Sequence, residues 1–505
     1  MANDNPHNLR SIAKNLVQLR ESQKKIIHCH GVFDLLHIGH IRYLEKAKQM
    51  GDILVVTITP DRYVNKGPHR PVFTEKIRLE VILALDCVDF AAVNEWPTAV
   101  DTIKLLKPDV YAKGAEYRKK RTPEIESEEI AIQAFGAEIK YIEDVTSSSS
   151  VLINKYMSPF PVNTQQYLED FSYRYSIDDV LRPLEKASNL NILVVGDAII
   201  DEYYYCEQLN KSSNAPLVVM QNLTLNKFAG GSLAVANHIA AFCENVSLVS
   251  VIGESDSELK WIEKSLSPDI KRDLIKRSGQ MTLKKRRYID AYLEIPVFET
   301  YSEYEYTLNQ IDIEQIVSTL ENKLPGVDLV VVADYGHGMI TEAVLNVLSE
   351  KSQYLTVNAQ ANAGNRGYNS VRKYPSLHYI TLSTEEACLF MNQRIQDFNF
   401  AAKYIAETTG ADAVAITRGN AGSVVYSSEQ GHHSAPSLAL NVKDRVGAGD
   451  AFLAITALCA VQKVPFDILS FLGNAAGAVS VSTLGTNSPI ERLPFYRHVE
   501  SLMKH

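Results

Sequence analysis

Two short stretches of this 505-residue chain hold residue types suited to phosphate chemistry. The first is Gly31-Val32-Phe33-Asp34-Leu35-Leu36-His37-Ile38-Gly39-His40, which follows an apolar run and opens a helical pattern. A helix start offers free backbone N–H groups and the positive end of the peptide dipoles, which together attract anions. Two imidazoles add donors, and Gly39 lets the backbone approach a phosphate closely. That set suits nucleotidyl transfer, where the need is to stabilise charge on a phosphorus that is briefly five-coordinate. The second stretch is Asp444-Arg445-Val446-Gly447-Ala448-Gly449-Asp450, followed by an apolar run over 451–461. Its glycine turn can aim N–H groups at a phosphate, and Asp450 is placed to take a proton from an attacking hydroxyl. Singly, a histidine is most often a satisfied surface or core residue, and an aspartate after a turn is an N-cap. The paired spacings carry the reading.

The surrounding pattern supplies the elements that would hold these turns. Residues 9–23 have apolar positions at helical spacing, and 38–50 and 75–85 read as further helices. Short apolar runs at 26–30, 53–59, 109–113 and 138–142 read as strands. Strands alternating with helices imply a parallel sheet covered on both faces. The alternation restarts near residue 190, with strands expected at 191–195, 246–251, 328–333, 379–381 and 413–417. This divides the chain into 1–155, a linker over 156–188 that holds Pro159 and Pro161, and 189–505.

Composition sets outer bounds. The chain is 46% hydrophobic and 22% charged, with a formal net charge of -9, which argues against a general nucleic-acid or anionic-membrane partner. Six cysteines form no CxxC pair or Cys/His zinc spacing, as expected of reduced thiols in a cytoplasmic protein. The polar first ten residues lack a signal-peptide core, and no apolar run reaches spanning length.

The first stretch resembles the cytidylyltransferase-like family and its HxGH hallmark, over about residues 25–155. It is closest to domains that make nucleotide-activated heptose. Lys66-Gly67, Arg70-Pro71-Val72, Glu75, Arg78 and Lys113-Gly114-Ala115-Glu116-Tyr117 follow the order of those domains. The resemblance implies a Rossmann-like domain in which His37 and His40 hold a triphosphate and stabilise the transition state. It implies nucleotide-site roles for Phe33, Asp34, Gly39, Lys66, Arg78, Lys113 and the Ser147-Ser148-Ser149 cluster. Glycerol-phosphate cytidylyltransferases carry Arg-Thr just before that cluster, where this chain has Glu143-Asp144-Val145-Thr146. That departure favours the heptose branch and ATP over CTP, with both donors open. The basic run over 118–121 reads as a solvated loop, or as a hold for a phosphorylated sugar.

The second stretch resembles the GAGD signature of the PfkB, or ribokinase, family, over about 190–500. The resemblance implies a ribokinase-like α/β sandwich with Asp450 as base. It places Asp197, Asp201, Gly230, Gly231 and Asn237 at the sugar, and Thr417, Gly419, Gly447, Ala448, Gly449 and Asn474 at ATP. Glu386 would organise Mg2+ and its water. Asp334-Tyr335-Gly336-His337-Gly338 matches a heptose-kinase segment. Three departures stand out: Ser383 replaces the asparagine of NxxE, Arg445 replaces a threonine, and Asn358-Ala359-Gln360-Ala361 replaces Asp-Pro-Lys.

Known bifunctional heptose enzymes resemble both halves in the opposite order. The expectation is a sugar kinase, acting on heptose 7-phosphate at its anomeric hydroxyl, joined to a nucleotidyltransferase that uses the resulting 1-phosphate. The alternative is a working nucleotidyltransferase with a weak kinase-like, sugar-binding or regulatory domain. Small-molecule sugar phosphates and nucleoside triphosphates are the expected partners, and family resemblance implies a homodimer.

Overall fold

Ile26-Ile27-His28-Cys29 is buried on both faces, as a central parallel strand requires. It forms β1 (Ile26–Gly31), flanked by β2 (Ile53–Ile58), β3 (Phe90–Val93), β4 (Val110–Gly114) and β5 (Glu138–Ile142). All pair in parallel, in the order β3-β2-β1-β4-β5. Alternate residues feed two cores. Ile27, Cys29, Leu54 and Val56 pack with Leu44, Ala47 and Ile82 of the helices Ile38–Lys48 and Glu75–Leu83. Ile26, Val55 and Ala92 pack with Leu9, Ile12 and Leu16 of the helix Leu9–Glu21. This is the Rossmann-like layering expected, with β3 as a strand the reading did not contain.

This computed structural model describes residues 8–64, 70–115, 123–134, 136–142, 159–212, 217–255, 258–302, 307–482 and 489–504. The chain divides into two units, residues 1–159 with 500–505, and residues 160–499.

The second unit is built on β6 (Asn191–Lys211), whose 21 residues serve two sheets. Its first half pairs in parallel with β8 (Asn245–Gly253) and β12 (Leu329–Asp334). That larger sheet continues through β9 (Lys271–Arg277) on one side. On the other side run β13 (Leu355–Ala359), β14 (Tyr379–Ser383), β15 (Ala413–Thr417), β16 (Ser423–Ser427) and β17 (Gly431–Ala435). The second half of β6 pairs antiparallel with β7 (Val218–Gly231) and parallel with β10 (Leu283–Asp290). The strand β11 (Ile295–Tyr301) completes this smaller sheet. The strand expected over 191–195 is only the start of β6, and the strands of the smaller sheet have no counterpart among those expected. The cause is visible in β7 and β11, where Val218, Val219, Leu223, Ile295 and Val297 are exposed, so burial leaves no clean alternation.

Helices cover both faces of the larger sheet. The helices Gln310–Lys323, Glu342–Lys351 and Phe398–Thr409 bury Ile316, Leu348 and Ile405 against Val330, Val332 and Val414. The helix Ala448–Val461 is buried at every position from Asp450 to Ala460, as its apolar sequence demands. The stretch 156–188, read as a linker, instead contains the helices Val162–Arg174 and Ile177–Lys186. Phe171 of the first stacks on Phe471 at 4.2 Å, and both rings are fully buried. Phe171→Ala is therefore expected to destabilise the second unit by about 3–5 kcal/mol. Trp96 and Trp261 lie one in each unit and allow denaturant unfolding to be followed separately, with the Trp96 transition unmoved.

Candidate active sites

In the first unit, the strand order reverses at β1, and the crevice beyond the carboxyl ends of β1 and β4 is where such sheets place ligands. Gly31 through His40 follow β1 at this point. His37 is the N-cap of the helix Ile38–Lys48, and its Nδ1 accepts the Gly39 N–H at 3.1 Å. An accepting Nδ1 leaves the proton of the neutral ring on Nε2. That Nε2 is buried and has no hydrogen-bond partner among the described residues. The His37 and His40 rings lie 4.2 Å apart, and Phe33 meets His40 edge-on at 5.5 Å. Phe33 has φ +47°, a left-handed conformation that tightens the turn between strand and helix.

Beneath this turn lies a polar layer that the sequence reading did not single out. Thr57 Oγ1 meets His28 Nε2 at 2.8 Å and His30 Nδ1 at 2.9 Å, and Thr59 meets His30 Nε2 at 3.2 Å. Burial, aided by Lys113, pushes the His28 imidazole down to about 3 and that of His30 well below its usual range. Both rings are neutral at physiological pH. Their alternation in Ile26-Ile27-His28-Cys29-His30 was the available signal.

Three residues expected at the nucleotide are committed to protein partners. Asp34 accepts from Arg70 Nε and, at 3.1 Å, from the Phe73 N–H. Arg78 is 2% exposed and gives its donors to the Val32, Phe73 and Thr59 carbonyls and to Asp61. Lys113 pairs with buried Glu128 at 2.8 Å, and Glu128 also accepts from the Tyr111 hydroxyl. A buried charge must be paired, and these pairings tie down the walls of the crevice. Lys66, Ser147, Ser148 and Ser149 lie outside the described residues, as do Gly67, Glu116, Tyr117, the basic run 118–121 and Glu143, Asp144, Val145 and Thr146.

In the second unit, a cleft of about 270 Å3 opens between the two sheets. One wall carries Val446, Gly447, Gly449 and Asp450, and the other carries Asp201, Lys285 and Arg287. Gly447 has φ +82° and leads directly into the helix Ala448–Val461, so the turn presents N–H groups at a helix start. Asp450 is 6% exposed. Its Oδ1 accepts from the Tyr335 hydroxyl at 2.5 Å and from Gln360 Nε2 at 3.2 Å. Burial raises the Asp450 carboxyl to about 6, against the opposing pull of Tyr335, Lys285 and Gln360. Gln360 belongs to the segment that replaces Asp-Pro-Lys, so that departure puts an amide on the candidate base.

The expected sugar-side residues separate. Asp201 lines the cleft, paired with Arg287 at 2.9 Å. A Cβ on Gly230 would come within 2.3 Å of Asp201 Oδ2, so glycine makes room for that carboxylate, and Gly231 lines the cleft beside it. Asp197 does not line the cleft; it forms a buried ion pair with Arg277 at 2.9 Å. Asn237 is likewise committed elsewhere, donating to the Ser265 carbonyl and accepting the Ser267 N–H, both at 2.9 Å. Its position well inside the helix Ser232–Ala240 turns it from the glycine pair.

On the expected ATP side, Thr417 lines the cleft, whereas Gly419 does not, and Asn474 donates to Ser423 Oγ at 2.7 Å. Glu386 lines the cleft as well. Its Oε2 accepts the Ser383 N–H at 2.6 Å in a capping box, and its Oε1 accepts the Ala361 N–H at 3.2 Å. Among the described residues, no three or more His, Cys, Asp or Glu cluster as a metal cage. Such a donor set fits Mg2+ carried chiefly by ATP phosphates and water, with Glu386 orienting a water. Sequence reasoning missed Lys285, Arg287 and Gln360. The signal for the first two was Lys284-Lys285-Arg286-Arg287, which on a strand sends alternate cations to one face.

A nine-stranded sheet, a glycine turn over a buried aspartate and a smaller facing sheet are the fold of small-molecule kinases. Residues 189–493 match the family described as pfkB family carbohydrate kinase, and the chain belongs to that family. Residues 28–155 match the family described as Cytidylyltransferase-like. The bifunctional protein HldE of Trichlorobacter lovleyi is 29% identical over 308 residues, 60% of this chain and 62% of that one. The protein of that name from Syntrophotalea carbinolica is 33% identical over 153 residues, 30% of each chain. That from Helicobacter pylori is 45% identical over 111 residues, 22% of this chain and 24% of that one. Each of these matches spans less than two thirds of the relative's length. Phosphofructokinase-2 of Escherichia coli, in complex with substrates and products, aligns with a TM-score of 0.51 at 13% identity, over 63% of this chain and 100% of that one. This likeness concerns the fold. Among the described residues, no helix is long and apolar enough to cross a membrane.

Two expectations follow. Arg78→Ala removes a buried cation and leaves Asp61 and three carbonyls without it, so the first unit should lose about 3–5 kcal/mol in denaturant unfolding. A base must be ionised to accept a proton, so ATP-dependent phosphorylation should fall to half near pH 6 as the pH is lowered, where an ordinary carboxylate would give about 4. A pH–rate profile of kcat/KM checks this.

Proposed function

We propose that the second unit transfers the γ-phosphoryl group of ATP to a hydroxyl of a sugar phosphate, with heptose 7-phosphate and its anomeric hydroxyl as the favoured case. The observation that carries this reading is Asp450, buried at the head of a buried helix and beneath the Gly447 turn. Asp450 takes the hydroxyl proton. The hydroxyl oxygen bonds to the γ-phosphorus, the bond to the bridging β–γ oxygen breaks, and ADP leaves. The N–H groups of the Gly447-Ala448-Gly449 turn stabilise the charge on the transferring group. Mg2+ bound with ATP would neutralise phosphate charge, and Glu386 would orient a water of its shell. Asp201 and Gly231 face the sugar.

The first unit then lets the sugar 1-phosphate attack the α-phosphorus of a nucleoside triphosphate, ATP rather than CTP. An oxygen of the sugar phosphate bonds to that phosphorus, pyrophosphate leaves, and a nucleotide sugar results. His37 and His40 donate to the phosphate oxygens as charge develops. The Glu143-Asp144-Val145-Thr146 departure supports ATP. The full reading has the protein in the cytoplasm as a homodimer.

A second reading, in which the kinase-like unit only binds sugar, draws on the capped Glu386 and on Ser383 in place of asparagine. Asp450→Asn separates the two. The variant is expected to lose ADP formation by at least about 1,000-fold while still releasing pyrophosphate from supplied sugar 1-phosphate. His40→Ala should do the reverse, with pyrophosphate release down about 100-fold or more. Mass analysis of products from ATP, CTP and a panel of sugar phosphates reads both. A parent protein that forms neither ADP nor pyrophosphate across the panel overturns the proposal.

A further inference from the structure

The cleft face of the smaller sheet carries two cross-strand rows. Tyr203, Arg287 and Glu299 form one, and Asp201, Lys285 and Tyr301 form the other. Residues in register across strands present their side chains on one face. The first row closes on itself. Arg287 donates to Glu299 at 2.8 Å, to Tyr203 at 3.2 Å and diagonally to Asp201 at 2.9 Å.

That arrangement leaves Lys285 without an anion. It is 7% exposed and lines the cleft, yet no carboxylate lies within 4.0 Å of its ammonium among the described residues. Its company is aromatic, with the Tyr301 ring at 5.4 Å and the Tyr335 ring at 5.2 Å. The carboxylates that share its cleft are bonded elsewhere, Asp201 by Arg287, Asp450 by Tyr335 and Gln360, and Glu386 by the Ser383 and Ala361 N–H groups. Burial drives the Lys285 ammonium below its usual range. Asp201, Glu299 and Asp450 offset this in part from beyond ion-pair contact, and a buried cation with no anion in contact is costly unless a ligand brings one. The Tyr335 ring also sets a spacing, since Lys285 lies over the ring and Asp450 accepts from its hydroxyl. An anion at Lys285 is thus held apart from the hydroxyl that Asp450 deprotonates.

We propose that Lys285 anchors an anionic substituent of the sugar, a phosphate monoester remote from the reacting hydroxyl, and so selects a sugar phosphate over the neutral sugar. This rests on the kinase reading of the cleft and adds to it the residue that enforces the substrate class.

The test is calorimetric titration and steady-state kinetics on the full chain. The probes are heptose 7-phosphate against heptose, and fructose 6-phosphate against fructose. The parent protein is expected to bind at least one phosphorylated probe about 30- to 100-fold more tightly than its neutral partner. Lys285→Met and Lys285→Gln should erase that difference and leave affinity for the neutral sugar and for ATP within about twofold. Lys285→Arg should restore most of it, which a purely structural role would not produce. Variants that keep the preference for phosphate overturn the inference. So does an equal loss of kcat on neutral and phosphorylated sugars, which would place the ammonium at the transferring phosphoryl group. A parent protein that discriminates through Lys285 but consumes no ATP sinks the kinase reading and spares the anchor. One that phosphorylates both members of each pair equally sinks the anchor alone.

Discussion

A carboxylate held in the interior at the positive end of a helix is the constraint around which the second unit is arranged. Asp450 stands in the first turn of a helix that is buried along nearly its whole length. The helix dipole and nearby donors favour the ionised form, and loss of water opposes it. Desolvation is the largest effect, so the group settles near 6 rather than in the usual carboxylate range. Tyr335 and Gln360 both bond one oxygen, Oδ1, which orients the group. Tyr335 is in turn fixed by its own carbonyl, which accepts from Asn362 and Asn365 at 2.9 and 2.7 Å. The polar segment after β13, with Asn362 and Asn365, thus braces the residue that orients the Asp450 carboxylate.

The first unit places imidazoles, rather than a carboxylate, at its helix start. Three of its charged residues that were expected at the nucleotide, Arg78, Asp34 and Lys113, are spent in pairs that shape the crevice. What faces the helix start is a pair of imidazoles, themselves standing over a layer of neutral histidine and threonine. Imidazole N–H groups at a helix start are donors to an anion.

Both glycine-punctuated turns were legible in the sequence, because a strand, a turn and a helix leave distinct periodicities within a few residues. The parallel sheets were legible for the same reason, with the restart near residue 190 matching β6. Commitments of individual side chains were not. Arg78 and Asp197 have the residue type of ligand contacts, and only the packed structure reveals Asp61 and Arg277 as their partners. Lys285 is the converse case. It sits in a run of four cations, and only strand alternation together with the pairing of Arg287 to Asp201 shows it to be a cleft residue with no ion-pair contact. The helices within 156–188 were hidden by prolines, although Pro161 sits at an N-cap, where it is compatible with a helix that follows.

The length of β6 has a mechanical meaning. One continuous strand runs through the larger sheet and on into the smaller one, with ladder bonds on both sides of it in each. The smaller sheet is therefore a springboard rather than a door on a hinge. It can flex about a stiff beam rooted in the core, but a wide swing would rupture the rungs that hold Gly196 and its neighbours. Whatever enters the cleft meets a roof with elastic give and little free travel.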